Sequence, residues 1–131
     1  MDLDRKVYEY LLENVFYVAT ADKVPHLRPF GAVVYYHDKV CICTSNKKEV
    51  YKQMKANPFI EIAAVDQVGK WLRIKAEVSL KDNNEEVRQL FFDQYPNVAQ
   101  IYKGRENEFT AFSLTIKAAI LDNMDGTKAS L

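Results

Sequence analysis

Two hydrophobic rhythms alternate along the chain. Leu3, Val7, Tyr10 and Leu11 recur at the spacing of an amphipathic helix, and the β-rich run FYVAT follows from Phe16. The segment HLRPFGAVVYYHDKVCICTS, residues 26–45, predicts two strands joined at His37-Asp38-Lys39, with β-branched and aromatic residues on both sides of a short polar turn. Pro29 has no N–H to give a ladder, which confines it to an edge, a strand end or a bulge. The period then changes. CTSNKKEVYKQMKANP, residues 43–58, reads as a strand end running into a helix from Lys47 to Ala56, stopped by Asn57-Pro58. FIEIAAVDQVGKWLRIKAEVSL, residues 59–80, predicts a second hairpin turning near Gln67 to Gly69.

Helical spacing returns in DNNEEVRQLFFDQYP, residues 82–96, where Asp and Asn are cap candidates, Glu85 and Glu86 fill the first turn, and Val87, Leu90, Phe91 and Tyr95 form one face. Pro96 ends that helix, NVAQIYKG makes a short one closing at Gly104, and a final strand runs from about Phe109 to Leu121. Some six strands, mostly in hairpins with helices around them, predict an antiparallel β-barrel with peripheral helices, because closing the sheet removes exposed edges. No repeat or flexible linker interrupts the pattern, and the length suits one domain over residues 1–131.

One helix start breaks the expected charge order. Lys47 and Lys48 fall in the predicted first turn, where the helix dipole disfavours each cation by about 0.3 kcal/mol or more. Asn46 followed by Glu49 has the spacing of a capping box, which supports a helix beginning there. The lysines are therefore either solvated surface charges or the walls of an anion site.

Composition bears on that choice by exclusion. Lysine plus arginine equals aspartate plus glutamate, at 18 each, so no net field favours nucleic acid or an anionic membrane, and any basic site is local. The first residues, MDLDRKVYEYLLEN, are too charged for a signal peptide, and no apolar run approaches the roughly 20 residues that cross a bilayer. The default location is cytoplasmic. Cys41 and Cys43 point to one face of a strand, which suits a reduced, packed pair better than a disulfide. His26 and His37 have no metal-ligand spacing to them, so no metal site is expected. GxGxxG and Walker patterns are absent, and no Ser-His-Asp arrangement can be proposed from position.

The order of elements and residues together resembles the flavin-binding split-barrel proteins related to pyridoxamine 5'-phosphate oxidase. The resemblance rests on His26-Leu27-Arg28-Pro29-Phe30-Gly31, on Cys43-Thr44-Ser45-Asn46 running into a helix that closes Ala56-Asn57-Pro58, and on Lys70-Trp71-Leu72-Arg73-Ile74. It implies a six-stranded antiparallel split barrel that binds FMN in a groove between two subunits of a homodimer. It also implies which residues take part. Arg28, with Pro29, Phe30 and Gly31, opens the flavin strand; Thr44 and Ser45 end the neighbouring one; Lys47 and Lys48 join Arg28 around the phosphate; Gln53 reaches in from the helix; and Trp71 sits near a flavin-contacting position.

Departures from the oxidase narrow the implied chemistry. Val33 stands where its flavin strand carries a lysine, Glu49 and Val50 align with its helical arginine-lysine pair, and the tail DNMDGTKASL lacks its C-terminal arginine and histidine. True pyridoxamine phosphate oxidation is not expected. The resemblance points instead towards the small flavoproteins associated with nitroimidazole resistance, with hydride or electron transfer to a small-molecule substrate at the flavin ring and no catalytic side chain assigned. Six tyrosines, Tyr8, Tyr17, Tyr35, Tyr36, Tyr51 and Tyr102, are candidates for the pocket wall. Two alternatives stay open: a haem or deazaflavin in place of FMN, with His26 or His37 as a haem ligand, and a binding module without turnover.

Overall fold

A computed structural model describes residues 2–131. Its strands are β1 (Phe16–Ala21), β2 (Pro25–Phe30), β3 (Val33–Tyr36), β4 (Lys39–Ser45), β5 (Phe59–Val65), β6 (Trp71–Ser79), β7 (Phe109–Asp122) and β8 (Lys128–Ser130). Every pairing is antiparallel, in the order β2-β1-β5-β6-β7-β4-β3, with β8 added beside β7. β2 and β3 lie at opposite ends of this order, yet only Gly31 and Ala32 separate them along the chain. The sheet must therefore curl until its ends almost meet. No ladder joins β2 to β3, so the barrel stays split at that seam.

The seam corrects the sequence reading, which ran one strand through residues 26–36. Its first half pairs with β1 and its second with β4, a corner that hydrophobic alternation does not reveal. With the short β8 in the tail, the count rises from about six to eight strands. The following turn is also tighter than expected. His37 and Asp38 take φ of 48° and 62° while Tyr36 pairs with Lys39, a two-residue hairpin loop with the twist that matches its strands, so Lys39 belongs to β4.

Four helices surround the sheet: α1 (Leu3–Glu13), α2 (Glu49–Ala56), α3 (Glu85–Gln94) and α4 (Pro96–Ile101). Asp2 caps α1 by accepting from the Arg5 amide, and Asn84 caps α3 by accepting from the Val87 amide at 2.9 Å. Pro96 both stops α3 and opens α4 at the position where its missing N–H costs nothing. α2 is the exception. It begins at Glu49 rather than Lys47, Lys48 occupies the cap position, and no side chain caps it. The expected capping box is absent, because the helix starts at Glu49 with Lys48 as its cap; the Asn46 Nδ2 donates to the Asn107 carbonyl at 2.9 Å. Lys47 and Lys48 thus precede the first turn, and the acidic residue within it is Glu49, where the dipole favours one.

Two apolar clusters hold these layers together. Inside the barrel, Phe16, Val18, Ile42, Ile62, Leu72, Ile74, Phe112 and Leu114 pack with Val7 and Leu11 of α1 and Val50 and Met54 of α2. On the outer face of β3, β4 and β7, Val34, Cys41, Phe109 and Ala111 meet Val87 and Phe91 of α3 and Tyr102 beyond α4. At the seam, the Tyr95 hydroxyl donates to the Val33 carbonyl at 3.0 Å and accepts from the Val33 amide at 3.2 Å. A side chain thereby satisfies edge groups that the missing ladder leaves unpaired. No described helix is long and apolar enough to cross a membrane.

Candidate functional site

The seam opens into a cleft of about 270 Å³, just below the usual 300–1,000 Å³ range of small-molecule sites. β2 and its corner supply Arg28 to Ala32, the end of β4 supplies Cys43 and Thr44, and the start of α2 supplies Lys48 and Val50. α4 closes the far side with Asn97, Val98 and Ile101, followed by Tyr102. Among the described residues, two cations and no carboxylate line the cleft.

Arg28 is the residue whose environment is most unusual. Every other arginine of the chain has a carboxylate within ion-pair distance, whereas Arg28 has none among the described residues. Its Nη1 donates to the Val18 carbonyl at 3.1 Å and to Thr20 Oγ1 at 2.8 Å, and its Nη2 donates to Gln53 Oε1 at 2.8 Å. A guanidinium carries five N–H donors, so Nε–H and the second Nη2–H remain without an acceptor among the described residues. Partial burial lowers its pKa from the usual value, and an arginine guanidinium stays charged in proteins. A half-buried cation without a counter-charge is what a bound anion would complete.

The turn before α2 gives the cleft its other basic wall. Ser45 Oγ accepts from the Lys47 amide at 3.1 Å and the Ser45 carbonyl accepts from the Lys48 amide, also at 3.1 Å, which fixes the path of the chain into α2. Neither lysine has a carboxylate partner among the described residues. The uncapped helix start adds partial positive charge beside Lys48.

The rest of the lining is apolar or weakly polar. Phe30, Ala32, Val98 and Ile101 belong to it, and Tyr102 is anchored edge-on to Phe109 with ring centroids 5.5 Å apart. Burial pushes the Cys43 thiol up to about 12, and burial together with nearby Cys43 pushes the Tyr102 hydroxyl up to about 12. Both groups are protonated at neutral pH, so neither is an activated nucleophile or base.

Arg28, Pro29, Phe30, Gly31, Thr44 and Lys48 therefore meet in one cleft. Ser45 shapes its turn and Lys47 lies beside it. Gln53 is buried behind Arg28 with its amide oxygen already engaged. Trp71 lies elsewhere, at the start of β6, paired with Val65 and Asp122 on the outer face of the sheet. Of the candidate tyrosines, only Tyr102 lines the cleft. The α4 wall was not legible in sequence, since nothing in PNVAQI signals where a short helix docks. Thr20 escaped notice for the same reason: it read as an ordinary strand residue, and only the fold sets it beside Arg28.

A barrel opened along one seam, with helices flanking a basic cleft, is a split barrel. The chain belongs to the pyridoxamine 5'-phosphate oxidase family, whose model matches residues 4–121. A NimC/NimA family protein from Clostridium acetobutylicum is similar in structure, with a TM-score of 0.87 and 31% identity over 98% of this chain and 90% of that one. Two more distant structures share the fold. A heme binding protein from Mycobacterium smegmatis has a TM-score of 0.74 and 16% identity, covering 98% of this chain and 56% of that one. An F420 reductase has a TM-score of 0.63 and 18% identity, covering 86% of this chain and 94% of that one. No curated protein matches the chain.

Proposed function

We propose that this chain is an FMN-binding oxidoreductase, working as a homodimer and passing hydride or electrons between a reduced donor and a small-molecule acceptor. The observation that carries the reading is the polarity of the cleft. Arg28, Lys48 and the uncapped start of α2 bring positive charge with no carboxylate among the described residues, and Phe30, Val98, Ile101 and Tyr102 bring apolar surface to the same cleft. A phosphate joined to a flat, largely apolar ring suits that combination.

Bound FMN would supply the hydride or electron chemistry itself. Arg28 and Lys48 would neutralise the phosphate and fix its position, while the Thr44 hydroxyl offers a hydrogen bond. Ile101 and Tyr102 would shield one side of the ring from water. Haem is the second reading, prompted by the haem-binding structure of the same fold. It has less support, since no histidine lines the cleft: His26 pairs with Asp22 at 3.1 Å, and His37 stacks on Tyr36 in the β3–β4 turn. A deazaflavin, suggested by the F420 reductase, would share the phosphate end.

The outer face of β1, β2 and β5 supports the homodimer. Tyr17, Leu27, Phe59 and Val65 share it and are 42%, 69%, 60% and 59% exposed. So much exposed apolar surface on one face marks an interaction site, and a twofold partner is the commonest solution. Sedimentation should give a dimer; a stable monomer would refute it.

The absorption spectrum of the protein as purified, with no cofactor added, tests the cofactor directly, because flavin, haem and deazaflavin absorb differently. The site itself is tested by Lys48→Glu. Reversing that charge is expected to weaken FMN about tenfold or more, while an acidic residue at a helix start leaves the fold intact. Full FMN affinity in the folded variant would remove Lys48 from the phosphate end.

A further inference from the structure

Arg28 is held by two side chains that do not line the cleft. Thr20, 2% exposed on β1, donates its hydroxyl to Gln53 Oε1 at 2.6 Å and accepts from Arg28 Nη1 at 2.8 Å. Gln53, 8% exposed on α2, receives Arg28 Nη2 on the same oxygen at 2.8 Å. The guanidinium has donors only, so the amide oxygen of Gln53 must face it, and the Thr20 hydroxyl, which already accepts from Arg28, must turn its proton to Gln53. All three side chains are thereby locked into one closed triangle. Its acceptors are neutral, so the charge of Arg28 is oriented without being cancelled. An aspartate or glutamate in either place would fix the guanidinium equally well and compete with any anion in the cleft.

We propose that Thr20 and Gln53 are positioning residues that aim the free edge of the Arg28 guanidinium at the anion end of the cleft and set the preference for a phosphate-bearing ligand. The inference rests on the flavin reading and refines it. Gln53, which the sequence suggested as a ligand contact, acts through Arg28 instead.

The test compares the affinities of FMN and riboflavin, read by flavin fluorescence, in the wild type and in Thr20→Val, Thr20→Ser and Gln53→Glu. Thr20→Val keeps the shape of the side chain but removes the hydroxyl from the triangle. It should reduce FMN affinity about fivefold or more while leaving riboflavin unchanged, and Thr20→Ser should restore the preference. Gln53→Glu sets a carboxylate against the guanidinium and should bring FMN and riboflavin to nearly equal affinity. Wild-type preference retained in both Thr20→Val and Gln53→Glu overturns the positioning role alone. An equal loss of both ligands in either variant overturns it too, as that marks general damage to the cleft. A wild type that never prefers FMN overturns the phosphate site itself.

Discussion

Replacing Arg28 with Met is expected to weaken FMN binding about 10- to 100-fold, or about 1.4–2.7 kcal/mol, and to leave riboflavin binding unchanged. Met keeps an apolar stem of similar reach and removes the charge together with the two donors that no described residue uses. The fold should survive the change. Thr20 and Gln53 still bond to each other, and no carboxylate is stranded, because Arg28 has none to leave behind. Fluorescence titration with both ligands checks the result, and unchanged FMN affinity would place the phosphate elsewhere.

The second large effect is on stability. Phe91→Ala is expected to cost about 3–5 kcal/mol, a large share of the 5–15 kcal/mol that typically separates folded from unfolded domains. Phe91 is fully buried between α3 and the outer sheet face, with its ring centroid 5.4 Å from that of Phe109 and 6.5 Å from that of Tyr95. Truncation leaves a cavity where α3 meets β7. Urea denaturation should show the loss as a lower midpoint, while Leu12→Ala, at a position 47% exposed, should change stability by no more than about 0.5 kcal/mol. The damage should also reach the cleft, because Tyr102 packs on Phe109 and Phe92 within the same cluster. A midpoint equal to that of Leu12→Ala would contradict the packing described.

Local sequence patterns anticipated much of this fold. The cap at Asn84, the stop at Asn57-Pro58, the hairpin near Gly69 and the long strand from Phe109 each follow from short-range chemistry, and each is present. The failures share one cause. The corner at Gly31-Ala32 depends on β2 and β3 finding partners at opposite ends of the sheet, and residue alternation says nothing about partners. The start of α2 lies later than the capping-box spacing suggests, because long-range bonds from the Asn46 amide to the Glu108 carbonyl and from its Nδ2 to the Asn107 carbonyl hold Asn46 in the turn before the helix. The lysine anomaly that first suggested an anion was therefore partly illusory.

The site reached the same residues by a sounder route. Arg28, Thr44 and Lys48 were legible through resemblance to a family, and their meeting in one cleft depends on the seam. The absence of a counter-charge at Arg28 could not be read from a chain in which acidic and basic residues balance. That absence, together with the neutral triangle behind it, exists only in three dimensions. The α4 wall and Thr20 belong to the same category.

Comparing FMN with riboflavin on the unmodified protein tests the central claim most directly, since the two ligands share the ring and ribityl chain and differ in the phosphate. A cradle formed by Arg28, Lys48 and the start of α2 predicts that FMN binds at least about tenfold more tightly, with the difference shrinking as salt is raised. Equal affinities at low salt would contradict it.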